Sequence, residues 1–291
     1  NMLIPTAVYI VMAVSLNLVV GLLGELSLGH AGFMSVGLFS GCLVAIALTN
    51  TALPLMVRLP VSMLAGGLTA AVFGLLVGLP TLRLRGDYLA IVTLACGEII
   101  KNIITNLRVT GGALGLNTTA IYAGAKELLP YGAALVLLTV AVMLNLKRSK
   151  YGRAIMAIRD NRIAAESVGL SVTRYKLAVF VIAAFFAGCA GVLYGHSLAN
   201  IKAAAFDYNM SIEILVIVVL GGMGSVPGSV VSAIVLTVLP EALREVADYR
   251  MLVYAVVLIL VMQATNNPAM KRFFGAACKS LTPKRKERAA L

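Results

Sequence analysis

The stretch LAVFVIAAFFAGCAGVLYGHSL, residues 177–198, runs for 22 residues without Asp, Glu, Lys or Arg. A run of that length can cross the hydrocarbon of a bilayer as one helix. Comparable runs recur along the 291-residue chain. That repetition leaves few folds open, because inside lipid every backbone N–H and C=O must be satisfied by protein. Helices and closed barrels alone achieve this, and no succession of short alternating strands suggests a barrel. Charge content agrees: 12% of the residues are charged, against about 25% in soluble domains. The chain therefore reads as an all-α, polytopic transmembrane helical protein with about 8–10 membrane segments, some of them short or broken.

Nine apolar segments can be marked, at about residues 2–23, 33–48, 61–79, 87–106, 131–146, 177–198, 208–220, 229–239 and 252–264. Two Gly-rich breaks stand out. GELSLGHAG (24–32) follows the first segment and GGMGSVPG (221–228) separates the seventh from the eighth. Those two segments are too short to span comfortably. They read either as short spans meeting at a cytoplasmic Gly loop or as half-helices of a re-entrant hairpin buried in protein. The two breaks, one in each half, also raise an internal repeat as a reading.

Orientation follows from the cations. Residues 147–176 hold eight Lys/Arg and two acids, and residues 271–288 hold seven Lys/Arg and one acid. Lys and Arg concentrate in cytoplasmic loops. Four segments separate the two basic regions, an even number, so both face the cytoplasm consistently. Arg83 and Arg85 then fall inside and Asn1 outside, and an outside start without a signal peptide leads us to expect a further helix upstream. A single transmembrane domain over 1–291 is expected, with a cytoplasmic loop at 147–176 and a basic cytoplasmic tail at 267–291. After Pro240, residues 241–250 carry charges at helical spacing and read as an external surface helix. The net charge of +12 is thereby a topology signal, and no nucleic-acid partner is expected.

Little here suggests catalysis or metal binding. Cys42, Cys96, Cys189 and Cys278 are scattered singly, without metal or disulfide spacing. His30 and His196 form no motif. A membrane-embedded enzyme needs clustered acid–base or metal-ligating groups, and the segments offer too few, so no catalytic or metal residues are assigned.

The segment that breaks the pattern is GRAIMAIRDNRIAAESVGLS, residues 152–171. Ala154, Ile155, Ala157 and Ile158 make one apolar face, flanked by Arg153 and Arg159. Asp160 and Asn161 stop a helix and cap the next. Ile163, Ala164, Ala165 and Val168 make a second apolar face, with Arg162 and Glu166 off it, and Gly169 suits the C′ position. The pattern predicts helix, cap, helix, each about two turns long. Two readings stay open at this level: an amphipathic loop lying on anionic lipid, or a rigid docking surface whose small alanines let another protein approach closely.

The whole of GRAIMAIRDNRIAAESVGLSVTRYK resembles the cytoplasmic coupling loop of the LivM-type permease subunits of branched-chain amino-acid ABC importers. LNLVVGLLGELSLGHAGFMSVG (16–37) is similar to the first signature of that family. LRGDYLAIVTLACGEIIKNI (84–103) and VVLGGMGSVPGSVVSA (218–233) are similar to further family motifs, in family order. Glu25 departs from the Gln expected in relatives. The resemblance implies a multi-pass protein of the bacterial cytoplasmic (inner) membrane that forms a heterodimer with a related LivH-type permease. Two cytoplasmic ATPase subunits would drive it and an extracytoplasmic binding protein would deliver the amino acid. It places Gly152, Arg153, Ala157, Arg159, Asp160, Asn161, Ala164, Ala165, Glu166 and Gly169 at the ATPase contact. No GxxxxGK[ST] occurs in the chain, so it lacks the Walker loop that cradles nucleotide phosphates. ATP-Mg would be bound by the partner subunits, with no cofactor in this chain.

For the translocation pathway, Glu98 is the leading residue. It lies about 16 Å into its segment, and an ionisable group at that depth is a functional hypothesis by default. Lys101, three residues on, offers the structural alternative of an ion pair. Ser27, Gly29, His30 and Gly32 at the first break read either as exposed backbone for a zwitterion or as close helix packing. His30 suits a hydrogen-bonded packing role better than a ligand role. The same choice, pathway against packing or hinge, applies to Gly221, Gly222, Gly224 and Ser225. Glu213, at the start of the seventh segment near the outer surface, reads either as a solvated or interfacial charge or as a residue lining the outer mouth. Branched-chain amino acids are the expected cargo, with urea, short amides or other amino acids as alternatives. An ion-coupled secondary transporter is the rival class, but it would have no use for a rigid cytoplasmic docking loop.

Overall fold

A computed structural model describes residues 2–242 apart from 52, 53, 83 and 85. The expected ninth segment, the surface helix at 241–250, the basic tail, Cys278 and the two arginines Arg83 and Arg85 lie outside the described residues, save the first two positions of that helix. The chain divides into two compact units, Asn1–Val238 and Leu239–Leu291. The first unit holds the helix bundle.

The described residues form ten helices: α1 (Leu3–Asn17), α2 (His30–Ala47), α3 (Leu55–Thr81), α4 (Asp87–Asn106), α5 (Ala125–Arg148), α6 (Lys150–Asp160), α7 (Arg162–Ser167), α8 (Val172–His196), α9 (Tyr208–Gly221) and α10 (Val226–Ala242). The last turns of the first span, Leu18–Leu23, widen into a π-helical stretch. Seven helical stretches are long and apolar enough to cross a membrane, with α10 a shorter apolar helix beside them. The first eight expected segments are thus all present as helices. The third begins at Leu55 rather than near residue 61, so that Arg58 and Pro60 fall within it. Near a helix end an arginine can carry its head group to the interface while its stem stays on apolar surface.

Burial sorts the helices. α1 and α2 are buried along most of their length, and α8 from Phe180 onward is nearly so. α5 buries one stripe, Leu128, Gly132, Leu135, Thr139 and Met143, at helical spacing, and presents Leu137 and Leu138 outward. Such apolar outer faces suit lipid or another membrane subunit. α2, α3 and α8 form the most closely packed group. Their backbones meet through Gly37, Gly66 and Gly188: a methyl on Gly37 would stand 2.2 Å from Gly188 Cα, and one on Gly66 would stand 2.4 Å from the Gly37 carbonyl oxygen. With no hydrophobic force between helices in lipid, small residues at such crossings let van der Waals contact hold the bundle together.

At one end of the bundle the loops after α4 and α8 pair as a two-stranded antiparallel ribbon, β1 (Leu116–Asn117) on β2 (Asn200–Ile201). At the other end lie α6 and α7, the break after the first span, and the α9–α10 turn. This second end carries the cations of α6, α7 and their flanks, the charge that the positive-inside rule associates with the cytoplasmic side.

Candidate functional site

The site is built at the basic end. Ser149 ends α5 and caps α6, its hydroxyl accepting from the Gly152 amide at 3.1 Å and donating to the Leu146 carbonyl at 2.7 Å. α6 therefore starts at Lys150 and is three turns long rather than two. Asn161 caps α7 by accepting from the Ala164 amide at 3.1 Å. α7 ends at Gly169, whose φ is +87°. The Gly169 amide reaches the Glu166 carbonyl and the Leu170 amide the Ala165 carbonyl, a Schellman closure. Ile158, Ala165 and Val172 form a small core under the unit, with Leu170 and Tyr175 packed against it. Ion pairs Arg159–Asp160 and Arg162–Glu166 lie on its surface at 3.0 and 2.9 Å.

The side chains sort differently from the expectation in one respect. Ile163 is 80% exposed and Val168 81% exposed, and Ala164 is exposed as well. The second apolar face therefore points outward, apart from Ala165. Of the ten residues expected at the contact, Arg153, Ala157, Arg159, Asp160, Asn161, Ala164, Glu166 and Gly169 are exposed, whereas Gly152 and Ala165 are buried. Gly152 faces the Leu146 carbonyl, where a methyl would stand 2.1 Å away. These two hold the shape rather than offering surface.

Three cations tie this end together. Arg159 donates through Nη1 to the Gly21 carbonyl at 3.0 Å, and its stem lies over Gly24, where a methyl would meet Arg159 Cγ at 2.5 Å. Lys147 donates to the Gly224 carbonyl at 2.6 Å. Lys176, buried at the start of α8, pairs with Glu25 of the first break. Both Gly-rich breaks thus receive a cation from the loop 147–176 region. The second break also meets the end of the first span: the Gly224 amide donates to Asn17 Oδ1 at 2.7 Å, and Asn17 Nδ2 donates to the Ser225 carbonyl at 3.1 Å and to Ser229 Oγ at 2.8 Å. Gly21 has no room for a methyl, which would lie 2.1 Å from the Gly224 nitrogen. The α9–α10 turn is thereby level with the inner ends of α1 and α5, as two short spans meeting inside would place it. Gly221 packs on Gly228, a methyl there lying 2.6 Å from its carbonyl, while Gly222 and Gly224 adopt positive φ. The two breaks differ in form, the first an extended connection and the second a tight turn.

Residues 27–32, the rest of the first break and the start of α2, run against α4. The Leu28 amide donates to Thr93 Oγ1 at 3.1 Å, a methyl on Gly29 would stand 2.6 Å from the Thr93 carbonyl oxygen, and one on Gly32 2.9 Å from Gly97 Cα. Ser27 is buried, and among the described residues its hydroxyl has no partner. His30 Nε2 lies 2.8 Å from Ser15 Oγ, and its ring meets Phe33 edge-on, a packing arrangement. Glu98 pairs with Lys101 and also accepts from the Tyr208 amide at 3.0 Å, so both its oxygens are engaged and it caps α9. Glu213 lies five residues, about 7.5 Å, from the first residue of α9, is half-buried and accepts from the Tyr9 hydroxyl at 3.2 Å. Asn17, Lys147 and Tyr9 were not picked out from sequence. Asn17, an amide inside an apolar run, is the one that carried a signal.

The family model for the branched-chain amino acid transport system permease component matches residues 1–262. The LivM high-affinity branched-chain amino acid permease proteins of Salmonella typhimurium and Escherichia coli are each 37% identical over 88% of this chain and 66% of their own length. The chain thus spans just under two thirds of these curated relatives. The ribose import permease protein RbsC of Haemophilus influenzae is 26% identical over 94% of this chain and 86% of its own length. No solved structure matches. A match over nine tenths of the chain, on a bundle of apolar helices that carries a capped basic helix pair at one end, places this chain in the family of branched-chain amino acid transport system permease components.

Proposed function

We propose that this chain is the membrane-spanning permease subunit of an ATP-driven importer of branched-chain, apolar amino acids. In this reading it pairs with a related permease subunit, receives its cargo from an extracytoplasmic binding protein, and is driven by two cytoplasmic ATPase subunits that dock on α6 and α7. Nucleotide and Mg²⁺ belong to those subunits, and this chain has no catalytic step of its own. Family membership supports the transport role, and identity to two LivM proteins supports the cargo. Likeness to a ribose permease over nearly the whole chain indicates a scaffold that serves more than one cargo.

The observation that carries the coupling role is the Arg159–Gly21 contact. Ile163, Val168, Ala157 and Ala164 offer a partner an exposed apolar surface, and Arg159 of the same helix pair is fastened to the end of the first span and the break after it. A push on α6–α7 therefore reaches the membrane helices through short, directional bonds. The test is cross-linking from Ala157→Cys or Ala164→Cys in the assembled transporter, together with uptake of labelled leucine into vesicles with and without ATP. Cross-links to the ATPase subunits and ATP-dependent uptake are expected. Uptake driven by an ion gradient in the absence of ATP would assign the chain to secondary transport instead.

A further inference from the structure

A cavity of about 240 Å³ lies between α1, the end of α8 and the start of α9, and the coupling role makes no use of it. Phe206, Tyr194 and Met210 give it apolar and aromatic surface, and Tyr9, Asp207 and Glu213 give it polar groups. It opens beside Ala205 and Asn209, both exposed. Sites for drug-sized ligands run to about 300–1,000 Å³, so this one suits a single small molecule.

The acids differ in how they are occupied. Asp207 caps α9, accepting from the Met210 amide at 3.2 Å and from Asn209 Nδ2 at 2.7 Å. Glu213 accepts from Tyr9 through one carboxylate oxygen. Among the described residues no Lys, Arg or His pairs with Glu213. A carboxylate inside a span is costly and by default marks function. Here it faces a cavity that has a place for a cation on one side and apolar surface beside it.

We propose that this cavity binds an α-amino acid with an apolar side chain on its way through the membrane, with the ammonium group on Glu213, the side chain against Phe206 and Met210, and the carboxylate toward the mouth at Asn209. This rests on the transport reading and adds the residues that recognise the cargo. Glu213 and Tyr9 act as an ammonium receptor, and Phe206 limits the size of the side chain.

The assembled transporter carrying Ala205→Cys, reconstituted in vesicles beside its parent, tests this. The probes are aminoethyl (cationic) and sulfonatoethyl (anionic) methanethiosulfonate. The cationic reagent should react about tenfold faster, because a cleft of one sign concentrates counter-ions. L-leucine should slow the reaction and N-acetyl-leucine should not, since acetylation removes the ammonium. Glu213→Gln should abolish the protection and reduce the charge preference to what Asp207 alone supplies, and Glu213→Asp should retain the preference. Equal rates for the two reagents, no protection by leucine, or equal protection by N-acetyl-leucine would overturn the proposal, and the parent-background arms decide this even where a Glu213 variant fails to assemble. Protection by Na⁺ but not by leucine would overturn it as well, making the cavity a metal-cation site. ATP-dependent leucine uptake is measured on the same vesicles. Uptake without protection removes the cavity and leaves the transport reading standing. Protection without uptake keeps the cavity and removes that reading.

Discussion

Arg159 stands where the basic end of the molecule converges. Its guanidinium reaches a backbone carbonyl 138 residues away in sequence and pairs with Asp160 beside it. A hydrogen bond from a charged donor contributes about 1.5–3 kcal/mol, which is roughly tenfold or more in an equilibrium. Arg159→Ala should therefore lower leucine uptake at least about tenfold while ATP hydrolysis by the complex persists and the chain still inserts. Parallel assays of uptake and phosphate release check this, and an equal fall in both would mean lost assembly rather than lost coupling. Lys176 and Glu25 pose a different problem. Both are nearly buried, so removing one leaves the other charge without compensation, at about 3–5 kcal/mol. Lys176→Met should lower the melting temperature sharply. The double variant Lys176→Met with Glu25→Gln should recover much of the loss, because a neutral amide in that place has no unpaired charge. A double variant no more stable than the single would refute the pairing as the cause.

At the scale of the element, α6–α7 is stiff because each terminus is closed. Asn161→Ala removes the α7 cap and should cost about 1 kcal/mol locally. Faster hydrogen exchange at the Ala164 amide, with the membrane helices unchanged, is the expected signature. The α2–α3–α8 packing depends on an absence of side chains. Gly188→Ala places a methyl 2.5 Å from Ala70 Cβ and 2.7 Å from the Gly66 carbonyl oxygen. Overpacking of this kind costs about 1–3 kcal/mol, and folded yield in detergent should fall accordingly. Capping was legible in the amino-acid order, since Asn161 and Gly169 act within a few residues of themselves. The helix-packing role of Gly37, Gly66 and Gly188 was not, because nothing local says which glycine meets which.

For the whole molecule, charge and connectivity agree on two ends. The ribbon of β1 and β2 closes one, and α6, α7 and both Gly-rich breaks gather at the other. Leu114→Cys should react with an impermeant thiol reagent applied outside intact cells, and Ala157→Cys should react after the membrane is opened. Reaction of both from the same side would break the topology. The first eight apolar segments and their order were already present in the chain, because apolar length acts segment by segment. The rotation of each helix about its own axis was not. In lipid the outer face of a helix is as apolar as the face it buries, so no amphipathic stripe records which side turns inward. That is why the bond from the Tyr208 amide to Glu98 and the contact of Glu213 with Tyr9 came from tertiary packing alone.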